Sequence, residues 1–64
     1  EAFPKIELHR VALGKPLMFP EDNSIIAIAT DNTALSVPNH VTKLDINDPM
    51  SIINFILFTI LRRS

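Results

Sequence analysis

Polar and apolar residues alternate from Lys5 to Leu8, with Lys5 and Glu7 to one side and Ile6 and Leu8 to the other. That is the period of a half-buried strand. Val11-Ala12-Leu13 then runs apolar without alternation, and Gly14 and Pro16 around Lys15 predict a turn. Leu17-Met18-Phe19, held between Pro16 and Pro20, suits an edge strand, because proline cannot donate to a ladder. After the polar turn Pro20–Asn23, the isoleucine-rich run Ser24–Thr30 is too short for a typical helix and predicts a buried strand. Asp31-Asn32 separates it from Thr33–Val37, which signals a hairpin with Thr30 and Thr33 facing each other beside the turn. Pro38-Asn39 ends that strand. Val41–Ile46 predicts another, with Leu44 and Ile46 on one side and Lys43 and Asp45 on the other.

Asn47-Asp48-Pro49 reads as a helix start, Asp48 capping the free amides and Pro49 taking the first helical position. Met50–Leu61 is the expected helix, closed by Arg62 and Arg63 at its negative end. No charge lies between Asp48 and Arg62. At about 100° per residue, Met50, Ile53, Ile56, Leu57, Ile60 and Leu61 form one broad stripe suited to packing on a sheet. Ile52, Phe55 and Phe58 fall outside that stripe, among Ser51, Asn54 and Thr59. A helix apolar on nearly all sides needs a second surface besides one small sheet. A buried strand is the competing reading of this segment, because isoleucine and phenylalanine favour strands. The expected architecture is α+β: a small, mostly antiparallel sheet of three to five short strands, then one C-terminal apolar helix, in a single domain over residues 1–64.

Composition sharpens the need for a partner. Sixty-four residues bury only about 60% of the surface that the unfolded chain exposes, so domains of this size usually need a staple. The chain has no cysteine and two separated histidines, which removes disulfides and argues against a structural zinc. With 47% apolar and 20% charged residues, it does not read as disordered. Its formal charge of −1, with Lys5, Arg10, Lys15, Lys43, Arg62 and Arg63 scattered, disfavours nucleic acid as a partner. The start at Glu1 reads as a processed or trimmed chain, or a piece of a larger assembly, and no signal-peptide pattern opens it.

Candidate chemistry is thin. His9 and His40 are the candidate bases for a small oligomeric enzyme with a site at a subunit boundary, but the simpler reading of each is a solvated residue. One glycine cannot build a phosphate loop, and no cofactor is implied. In Leu44–Asp48, residues Asp45, Asn47 and Asp48 resemble the calcium-binding linker at the end of a cadherin repeat. Pro49 replaces the last asparagine of that pattern and a repeat is far longer than this chain, so the match is read as chance. The expected function is therefore non-enzymatic association, as a homo-oligomer or a subunit of a larger complex. Ile52, Phe55 and Phe58 are the expected contacts, Asn54 sets register, and Met50, Ile53, Leu57 and Leu61 are expected in the core. A membrane-surface contact, with Arg62 and Arg63 at lipid headgroups, is the runner-up; twelve apolar residues are too few for a bilayer core of about 30 Å.

Overall fold

The computed structural model describes residues 4–63. Three strands, β1 (Lys5–His9), β2 (Ile25–Thr30) and β3 (Thr42–Asp45), precede one helix, α1 (Pro49–Arg63). The strands lie in sequence order β1-β2-β3, and both pairings are parallel. The α+β class, three strands and a C-terminal helix match the expectation; the antiparallel pairing does not. A two-residue hairpin at Asp31-Asn32 would need positive φ at Asp31, and in the type I′ form at Asn32 too. Among the described residues only Gly14 has positive φ (64°). Asn32 instead opens a forward turn, its carboxamide oxygen accepting the Ala34 N–H at 3.1 Å and its carbonyl accepting the Leu35 N–H at 3.2 Å. Thr33–Val37 is consequently part of a crossover, not a strand.

Parallel strands need such crossovers, and usually a helix fills them. Here residues 10–24 and 31–41 cross over with no more regular structure than one 3-10 turn, Val11–Leu13, which Gly14 closes in the left-handed region. Leu17-Met18-Phe19 lies in the first crossover and is not the expected edge strand.

Register sorts the side chains. A bulge at Ile26 makes Lys5 oppose Ile25 and Ile6 oppose Ala27, after which pairing runs regularly through His9–Thr30 and Thr30–Asp45. One face therefore carries Lys5, Glu7, His9, Ile25, Ile28, Thr30, Lys43 and Asp45; the other carries Ile6, Leu8, Ala27, Ala29, Thr42 and Leu44. Both crossovers cover the first face, where Phe19, Ile25, Ile28 and Val41 form the core and Leu17, Leu35 and Val37 pack against it. The helix lies on the second face, chiefly against β3. β2 is buried on both sides, as its near-continuous apolar sequence requires.

The polar half of the alternation is tied to the crossovers by hydrogen bonds. Glu7 accepts the Met18 and Phe19 N–H groups at 2.8 and 2.9 Å, and Lys43 donates to the Thr33 and Leu35 carbonyls at 2.5 and 2.9 Å. Crossovers without helices leave backbone donors and acceptors over the sheet, and these two side chains satisfy them. Lys5 and Asp22 close the same side with an ion pair at 3.2 Å. The Asp22 carboxyl is held at about 2, first by the Ser24 hydroxyl (2.5 Å) and N–H (2.9 Å), then by Lys5.

Candidate interaction surface

The helix begins as the sequence predicts. Asp48 accepts the Ser51 N–H on its side chain at 3.3 Å, and Pro49 is the first helical residue. It then turns a different face to the sheet from the one the apolar stripe suggests. Ser51, Ile52, Phe55 and Thr59 are half-buried, at the spacing of one helix face. Phe55, Ile56, Thr59 and Ile60 meet Pro4, Ile6 and Ile26 around an apolar cavity of about 310 Å³ beneath the helix. Met50, Ile53, Leu57 and Leu61, the expected core, are exposed.

The reason lies in the two hydroxyl residues. Ser51 Oγ donates to the Asp48 carbonyl at 2.9 Å, and Thr59 Oγ1 donates to the Phe55 carbonyl at 2.8 Å. With each hydroxyl satisfied inside its own helix, the Ser51–Thr59 face can enter a half-buried layer without an unpaired polar group. Those hydroxyls are what made this face look solvent-directed in sequence.

Of the four expected contact residues, Ile52 and Phe55 thus stand on the sheet side, while Phe58 and Asn54 stand in solvent. The Arg62 guanidinium lies 5.3 Å above the Phe58 ring. Met50, Ile53, Leu57, Phe58 and Leu61 on the outer arc of α1, with Ile56 and Ile60 at its edge above the cavity, expose between 41% and 73% of their surfaces. At roughly 200 Å² for each such residue, this leaves on the order of 800 Å² of largely apolar surface, broken by the exposed Asn54 among Met50, Leu57 and Phe58. Single domains rarely expose contiguous apolar patches beyond about 300–600 Å². Leu8, on the helix side of β1, adds to the apolar exposure because α1 packs chiefly on β3.

The carboxyl ends of the strands form a second, polar feature. His9 Nδ1 lies 2.8 Å from Thr30 Oγ1, which also accepts the Asn32 N–H at 3.0 Å. Asp31 accepts the Val11 N–H, Asp45 accepts the Asn47 N–H, and Arg10 donates to Asn47. The Asn32–Thr30 and Asn47–Asp45 bonds close turns, and the others tie the end of β1 to the segments that follow β2 and β3. His40 is exposed just before β3, at the opposite end of the parallel sheet from His9, so the two histidines do not converge. Among the described residues no three His, Cys, Asp or Glu side chains gather to hold a metal. Asp45, Asn47 and Asp48 are engaged in the turn and the helix cap.

No family model, curated protein or solved structure matches this chain. No helix among the described residues is long and apolar enough to cross a membrane.

Proposed function

We propose that this chain is a non-enzymatic interaction module that associates through the outer face of α1. The observation that carries the reading is the roughly 800 Å² apolar arc. A specific interface buries about 800 Å² on each partner, a size that the exposed arc approaches.

The test is solution mass by light scattering over a hundred-fold concentration range, for the native chain and for Ile53→Glu/Leu57→Glu. The native chain should form a discrete assembly, and the variant should lose it while keeping its circular dichroism spectrum. A native chain that stays a soluble monomer throughout, with the same thermal stability as the variant, would overturn the reading.

A further inference from the structure

We propose that the occupant of the outer face is a second copy of this chain, with its α1 packed antiparallel to the first about a two-fold axis level with Phe55. This deepens the association reading above and rests on it. Met50, Ile53, Leu57 and Ile60 are all exposed and fall on one line of the helix, spaced three, four and three residues apart. That is the seam spacing of paired helices. The same spacing reads identically in both directions, which is what an antiparallel two-fold pair requires of a self-complementary seam. In that register Ile53 meets Leu57 of the partner subunit, and Met50 meets Ile60 of the partner subunit.

Placement and charge fit the same arrangement. At about 100° per residue Met50, Ile53 and Leu57 lie on the opposite side of α1 from Ile52, Phe55 and Thr59, and Ile60 stands on the flank, bordering the cavity but still more than half exposed, so the two sheets stay outside the contact. Asp45 and Asp48 mark one end of the helix and Arg62 the other, with no charge between. Antiparallel packing brings the acidic end of one copy to the basic end of its mate and opposes the two helix dipoles. Parallel packing would stack like ends. A membrane-lying helix normally carries Lys or Arg along its polar face; α1 has none before its last turn.

The absence of cysteine gives a clean test by disulfide trapping. Ile53→Cys and Leu57→Cys are made separately, and each is oxidised mildly alone and in an equimolar mixture. Linked peptides are then identified by mass spectrometry. Disulfides span Cα separations of only about 4.4–6.8 Å, and same-residue pairs in this register are offset along the axis by about 6 Å. The 53–57 link should therefore exceed either same-residue link on the order of tenfold. Met50→Cys with Ile60→Cys is the second pair, for use if the first disturbs folding, and should behave alike. Dominant 53–53 and 57–57 links would replace the antiparallel register with a parallel one. A dimer by light scattering with no link at either pair would place the association elsewhere, as would binding to anionic vesicles without dimerisation; both overturn the second-copy proposal. A native chain that stays monomeric removes this proposal and, by the criterion above, the association reading too.

Discussion

Glu7 offers the sharpest test of how this fold is held. Its carboxylate accepts two backbone N–H groups from the first crossover, at Met18 and Phe19, and so seats Phe19 in the core. A hydrogen bond to a charged group contributes about 1.5–3 kcal/mol. Met18 is exposed, so water can replace its partner; Phe19 is buried and its N–H is the costlier one to orphan. Glu7→Ala should therefore destabilise by about 2–3 kcal/mol. Glu7→Gln keeps an acceptor oxygen but loses the charge, and should cost about 1 kcal/mol. For a domain of this size, 1 kcal/mol moves Tm by about 4–8 °C. The chain has no tryptophan or tyrosine, so urea and thermal unfolding are best followed by far-ultraviolet circular dichroism. If Glu7→Ala costs under about 0.5 kcal/mol, the level of an ordinary surface change, the crossover is not pinned by this carboxylate and the reasoning fails.

Other consequences follow from the same geometry. Ala29 is fully buried on the helix side of β2, so Ala29→Leu should cost about 1–3 kcal/mol by overpacking and loosen α1; hydrogen exchange that leaves α1 amides as protected as before would contradict this. Ile28 is fully buried in the core, and Ile28→Ala should cost about 2–5 kcal/mol, a large share of a small domain's stability, read as the shift in urea midpoint. Thr30→Val removes the hydroxyl that meets His9 and Asn32 and should cost about 1–2 kcal/mol in the same assay. Asp22 titrates at about 2 when folded, below its ordinary 3.8. Its contribution is therefore full above about pH 5 and is lost progressively as pH falls toward 2. The Tm gap between the native chain and Asp22→Asn should narrow over that window, and a gap constant from pH 5 to pH 2 would rule this out.

Sequence by itself determined most of the local elements: Lys5–Leu8, Ser24–Thr30 and Val41–Ile46 as strands, the turn at Gly14, and a capped apolar helix after Asp48, while Leu17–Phe19 and Thr33–Val37, also strand-like in pattern, are crossover. These depend on side-chain period and on residues a few positions apart, which any reading of the chain can see. Tertiary structure decided everything that depends on what lies across a face. Asp31-Asn32 is compatible with a reversal or a forward turn, and pairing β3 parallel to β2 selected the forward turn. Glu7 and Lys43 sit at alternating polar positions in either case. Only the crossovers above them turned those positions from solvated residues into hydrogen-bond anchors. On α1 the sequence marked Ser51 and Thr59 as polar, but both hydroxyls bond to carbonyls of preceding residues, so their face could enter the protein. Most of the broader apolar stripe was left outward, with Ile56 and Ile60 at the edge of the sheet-side cavity. Its residues were legible as hydrophobic from the start, and only the packing of the helix on its sheet made them a surface.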